Sequence, residues 1–67
     1  MPRPLLLTDV MPIGKYQGYL VGQILDEEDD ADYIEWVIET REMAVRNDEH
    51  TSLPLFAKEV HDYLKEF

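Results

Sequence analysis

Between Tyr19 and Leu25 the apolar residues Leu20, Val21, Ile24 and Leu25 fall at i, i+1, i+4 and i+5, the spacing of one helical face. A short amphipathic helix is predicted there, with Gly22 an unfavourable residue in its interior. A second helix is predicted from near Asp30 to about Val45. Its apolar residues Ile34, Val37, Ile38 and Val45 fall on one stripe, Tyr33 and Trp36 flank that stripe, and Glu35, Glu39 and Glu42 lie outward. Asp29 or Asp30 is placed to cap the free amides, and carboxylates at that end complement the helix dipole. A third helix is predicted from Leu53, Phe56, Val60, Tyr63, Leu64 and Phe67, at i, i+3, i+7, i+10, i+11 and i+14. Thr51 or Ser52 would cap it, and Pro54 would sit in its first turn, where a missing amide costs nothing. Its face would run ~22 Å at 1.5 Å per residue.

The chain ahead of these helices has a different texture. Residues 1 to 8 carry Pro2 and Pro4 and then Leu5, Leu6 and Leu7, which predicts an extended or irregular stretch, the leucines forming an edge strand or covering the core. From Thr8 to Gly18, Pro12, Gly14 and Gly18 follow at short intervals and predict a tight turn or short hairpin. Asn47 to Thr51 is a polar connection. With no internal repeat and no linker, the expected architecture is one domain over residues 1–67, mainly α (small α+β), with a short N-terminal turn/hairpin segment packed on three helices.

Composition narrows the class. A domain of 67 residues buries only roughly 60% of the surface its unfolded chain exposes, so its stability margin is thin. There is no cysteine to reinforce it, which fits an intracellular protein better than a small secreted one. Apolar residues at 45% against 31% charged read as globular rather than disordered. No apolar run approaches the ~20 residues that span a bilayer. Met1 to Leu7 lacks the apolar length and cleavage site of a signal peptide. A cytoplasmic protein starting at Met1 is expected.

Charge changes the picture most. Fifteen carboxylates against six basic groups give a formal net of -9. Affinity for nucleic acid comes largely from lysine and arginine neutralising phosphates, so the chain as a whole should be repelled by nucleic acid and by anionic membranes. It favours partners with basic surfaces, although high net charge also serves solubility.

Met11-Pro12-Ile13-Gly14-Lys15-Tyr16-Gln17-Gly18, followed after an apolar segment by Tyr33-Ile34-Glu35-Trp36-Val37, resembles a small family. That family is the exodeoxyribonuclease X C-terminal-like domain, also named the quorum-sensing-regulated virulence factor family. Its signature reads Met-Pro-Phe-Gly-Lys-Tyr-Lys-Gly and later Tyr-Leu-x-Trp-Leu. The resemblance spans roughly Val10 to Ile38 and departs at Ile13, where an aromatic is common, and at Gln17, where many members have a second lysine. It implies a bacterial or bacteriophage protein associated with DNA or RNA metabolism, without implying an activity.

The chemistry-bearing residues are few. Gly14, Lys15 and Gly18 could cradle a phosphate, but the stretch lacks the Gly-x-x-x-x-Gly-Lys-Ser/Thr of a Walker loop, and a structural turn with Tyr16 packed inward and Lys15 solvated explains it as well. The acidic run Asp26, Glu27, Glu28, Asp29 and Asp30 fails as a calcium loop, with Ala31 at the sixth position and Val37 at the twelfth. A solvated, helix-capping edge or an acidic docking surface remains. His50 and His61 lack convergent metal-ligand spacing and read as surface histidines. Of the hydroxyls Thr8, Thr40, Thr51 and Ser52, the last two are accounted for as helix caps. Glu35 and Glu39, one turn apart, are expected outside any burial that would tune a catalytic pKa. So small a body should also have little volume for a substrate pocket of ~300 Å³. No enzyme activity, cofactor or metal is expected. Trp36, Tyr33, Phe56, Tyr63 and Phe67 read as core, any exposed remainder marking a contact surface.

Two functions of different class follow. In the first, Asp26, Glu27, Glu28, Asp29, Asp30, Asp32, Glu35 and Glu39, with Trp36, form a partner-binding band that engages a basic groove of a nucleic-acid-handling protein, as an adaptor or a DNA-mimic-like inhibitor. In the second, Gly14, Lys15 and Gly18, with Arg3, meet a phosphate backbone. A homo-oligomer through the C-terminal helix is a third, weaker option. The distribution of Arg3, Lys15, Arg41 and Arg46 discriminates the first two.

Overall fold

The computed structural model describes residues 3–66. Its architecture is mainly α, with α1 (Val21–Asp26), α2 (Ala31–Arg46) and α3 (Lys58–Lys65), and no strand among the described residues. The segment before α1 forms a minimal hairpin. An antiparallel bridge joins Val10 to Leu20, Met11 N donates to Tyr19 O at 2.8 Å, and Val21 N donates to Asp9 O at 2.9 Å. The turn ahead of it is pinned by Asp9, whose carboxylate accepts the Leu6 amide at 2.8 Å and both terminal nitrogens of Arg3 at 2.6 and 2.9 Å.

Gly22, unfavourable for a helix interior, is where this segment docks on α1. Its amide donates to Leu7 O at 2.9 Å, and a Cβ there would press to 3.1 Å from that oxygen. The close approach of backbone to backbone offsets the propensity cost.

The connection from α1 to α2 closes by its own amides. Glu28 N reaches Gln23 O, Asp30 N reaches Ile24 O, and Asp29 takes a left-handed φ of 50° that aspartate tolerates. Asp30 then caps α2, its side chain accepting the Tyr33 amide. The core comprises Met11 from the hairpin, Val21, Ile24 and Leu25 from α1, Ile34 and Val37 from α2, Val60 from α3, and Phe56. Each is buried, and among the described residues no buried side chain is polar.

Several expectations are corrected. α1 begins at Val21 rather than Tyr19, because Leu20 is extended to bridge Val10 and is left 44% exposed. α3 begins at Lys58 rather than Leu53. The stretch around Phe56 is extended because Leu5 binds it from both sides: Leu5 N donates to Leu55 O and Ala57 N donates to Leu5 O, each at 2.8 Å. Pro54 therefore stands outside the helix, consistent with its bias of the preceding residue towards extended backbone. Thr51 and Ser52 cap no helix; Thr51 Oγ1 instead accepts the Leu53 amide at 3.2 Å. The expected continuous C-terminal face is accordingly split between an extended strip and a helix of 8 residues, and Phe67 lies outside the described residues. Val45, assigned to the buried stripe of α2, is 57% exposed, because the packed part of α2 ends before its last turn.

Candidate functional site

The two segments that carry the family resemblance meet in space. Tyr16 packs edge-to-face on Tyr33 at 5.2 Å between ring centroids, and Tyr19 packs on Tyr16 at 5.4 Å. Tyr33 stacks on Trp36 at 6.1 Å. Lys15 Nζ lies 5.0 Å from the Tyr16 ring and 5.5 Å from the Tyr33 ring. Gly14, at φ 92°, sits under the Tyr33 hydroxyl, where a Cβ would clash. Glycine is thus required twice over, by backbone angle and by space.

Asp30 organises this cluster. Its carboxylate accepts the Tyr16 hydroxyl at 2.6 Å, pairs with Lys15 at 3.2 Å and caps α2. The tyrosine hydrogen bond, followed by that of Lys15, holds the Asp30 carboxyl below the usual carboxylate range. The same bond to an anion, with desolvation behind it, pushes Tyr16 up to about 12. As expected of a structural turn, Tyr16 packs inward and Lys15 stays largely exposed, with its charge also answered by Asp30 and two rings. The amides of Gln17 and Gly18 also donate inward, to Gly14 O and Met11 O, and are not offered to a ligand.

The acidic run does not form one surface with α2. Asp30 is turned inward and half-buried, while Asp26, Glu27, Glu28 and Asp29 are exposed. Asp26 and Glu27 line a groove beside α1 with Leu7 and Leu20. Asp32, Glu35 and Glu39 are exposed on α2. Glu35 and Glu39 form the rim of a groove between α2 and α3, over Ile38 and Leu64 and beside Lys65. His61, expected at the surface, is half-buried along that groove.

The outward face of α2 holds more than carboxylates. Trp36 is 54% exposed and Met43 is 59% exposed. Seven residues apart, they stand nearly two turns over one another, about 10 Å along the axis. Asp32, Glu35, Glu39 and Glu42, all exposed, lie along one side of them. Trp36, expected either in the core or exposed within the acidic band, is exposed: Ile34 and Val37 face the core, so a residue between them in sequence turns away from it. Met43 carried no assignment, although its i+7 relation to Trp36 on the polar side was visible.

The basic residues are divided. Lys15 is paired with Asp30, Arg46 is exposed on the last turn of α2, and Arg3 and Arg41 share a groove with the stretch from Thr51 to Leu55. Open surface grooves of about 390 to 430 Å³ lie along the helices and the N-terminal segment. Among the described residues, no three His, Cys, Asp or Glu side chains are grouped to hold a metal ion, and no helix is long and apolar enough to cross a membrane. No protein-family model, curated protein or solved structure matches this chain.

Proposed function

We propose that this chain is a non-catalytic acidic interaction protein that binds a basic surface of a partner protein through the outward face of α2. The carrying observation is Trp36, 54% exposed and steadied by its stack on Tyr33, on a helix face whose neighbours Asp32, Glu35 and Glu39 are carboxylates. A rigid aromatic needs little ordering on binding and is the residue type most often found to anchor an interface. The flanking carboxylates steer a basic partner and set its orientation. With Met43, the face offers an apolar ridge with carboxylates along one side, complementary to an apolar cleft with a basic edge. Carboxylates spaced along a rigid helix imitate phosphate charge, which suits an adaptor or DNA-mimic-like inhibitor. The family resemblance of Met11 to Gly18 and Tyr33 to Val37 supports a bacterial or phage origin and a partner in nucleic-acid metabolism.

A second reading, a nucleic-acid accessory module, has one observation in its favour: Lys15 lies beside the ladder Tyr16–Tyr33–Trp36, and aromatic faces next to a cation stack single-stranded bases. The pairing of Lys15 with Asp30 and the net charge of -9 weigh against it.

Tagged protein drawn through bacterial lysate, with and without nuclease, tests both. The first reading expects a basic protein retained in the presence of nuclease, and lost when Trp36→Ala or the triple change Asp32→Asn, Glu35→Gln, Glu39→Gln is made. Recovery that requires nucleic acid, survives the triple change and fails with Lys15→Gln would overturn it in favour of the second.

A further inference from the structure

Three of the described grooves carry carboxylates: Asp26 and Glu27 beside α1, Glu35 and Glu39 between α2 and α3, and Glu42 at the Phe56 corner. A fourth, of about 390 Å³, lies between α2 and the stretch from Thr51 to Leu55, and carries none. Its polar lining is Arg3, Arg41, Thr51 and Ser52, and the rest is leucine and proline, including Leu5 and Leu53. In a chain with fifteen carboxylates and six basic groups, a groove with two guanidiniums and no carboxylate is a marked segregation of charge.

The two arginines differ. Arg3 is spent on Asp9, which takes both its terminal nitrogens. Arg41 is half-buried and has no ion pair or hydrogen bond among the described residues. Its planar fork of donors suits a carboxylate. Beside it, the Thr51 hydroxyl accepts the Leu53 amide at 3.2 Å and keeps its own proton to donate. We propose that this groove binds a small organic monoanion: a carboxylate seated on Arg41 and the Thr51 hydroxyl, with its apolar body against Leu5 and Leu53.

Size and charge decide for a small ligand over an anionic polymer. The surplus negative charge of the chain is screened beyond ~8 Å at physiological salt, so a single anionic group in contact with a guanidinium is held. A nucleic acid, with charge along its whole length, would also meet Asp9 at Arg3 and Glu42 in the neighbouring groove that Arg41 lines.

Titration of 15N-labelled full chain with sodium hexanoate, hexanamide and inorganic phosphate, read by amide and arginine Nε–H shifts, tests the site. Hexanoate is expected to give saturable shifts at Arg41 and across Thr51 to Leu55. Hexanamide, of the same shape without the charge, and phosphate, without the apolar body, should bind at least ~10-fold more weakly. Arg41→Gln should weaken hexanoate by a similar factor, while Arg46→Gln leaves it unchanged. Absence of a saturable hexanoate shift, or equal binding of hexanamide or of phosphate, would overturn the proposal on the unaltered protein, whatever the fold of the Arg41 variant.

Discussion

The Tyr16 hydroxyl donates to Asp30 Oδ2 at 2.6 Å while Asp30 Oδ1 accepts the Tyr33 amide at 3.3 Å, so one carboxylate fastens the loop to the first turn of α2. Because the folded-state pKa of Asp30 is lowered, its contribution to stability is present above the ordinary carboxylate value of about 4 and is lost as pH falls through the folded value. Tyr16 has the opposite sign. Its folded pKa is raised to about 12, so its contribution is present below the ordinary value of about 10 and is lost as pH rises towards the folded one. In Asp30→Asn, the Tyr16 ring-carbon titration should fall back towards about 10, and part of the acid sensitivity of folding should disappear. An unchanged Tyr16 midpoint would show that the hydrogen bond to Asp30 is not its cause.

Gly14 and Gly18 form an internal control. Both have positive φ, 92° and 89°, but a Cβ at Gly14 runs into the Tyr33 hydroxyl while one at Gly18 meets open space. Gly18→Ala should cost only the backbone term, about 1–2 kcal/mol. Gly14→Ala should cost that and the displacement of Tyr33 from its stack on Trp36, with a further fall in Tm and a change in the wavelength of Trp36 emission. Equal melting temperatures for the two would mean that Tyr33 moves aside freely.

The contrast between these glycines shows how far the sequence is legible. Periodicity located α1 and α2 to within two residues, since Val21, Ile24, Leu25, Ile34 and Val37 bury one face each. The start of α3 was not legible. Leu53 and Phe56 keep helical spacing with Val60, and what holds Phe56 extended is the backbone of Leu5, far away in the chain. Within the acidic run, Asp30 and Asp29 are the same letter; the non-local partners Tyr16 and Lys15, together with the Tyr33 amide, separate an inward carboxylate from an outward one. Of the candidate site, Trp36 and the α2 carboxylates could be chosen by residue type. That Trp36 is exposed, and that Lys15 is paired, depend on how the loop packs.

Trp36 and Ile34 are two residues apart on α2 and should respond oppositely. Ile34 is fully buried, so Ile34→Ala should cost about 2–5 kcal/mol. A chain of 67 residues has roughly 3–10 kcal/mol to lose, which places this variant near unfolding in a urea titration. Trp36→Ala removes one ring stack on an exposed face and should cost about 1 kcal/mol or less. Partner capture should vanish in Trp36→Ala while its urea midpoint barely moves. A midpoint as low as that of Ile34→Ala would assign Trp36 to the fold and remove the main support for the binding face.

Glu59 is a second carboxylate whose role is positional. From the first turn of α3, its Oε2 accepts the Leu7 amide at 2.9 Å across 52 residues of chain. Leu7 O in turn accepts the Gly22 amide, and Leu5 pairs with the backbone at Leu55 and Ala57, so the N-terminal segment is held from α1, from α3 and from the extended strip at once. Of these ties only Glu59 is a side chain, and it alone can be removed without touching the backbone. Glu59→Ala should raise hydrogen exchange at the Leu7 amide by about 5- to 10-fold, the worth of one hydrogen bond of about 1 kcal/mol, with smaller increases at Leu5 and Gly22. Glu59→Gln keeps an acceptor oxygen and should preserve most of the protection. Loss of protection in both variants would make the negative charge, rather than the hydrogen bond, what holds the segment. Unchanged exchange in both would mean that the backbone ties suffice.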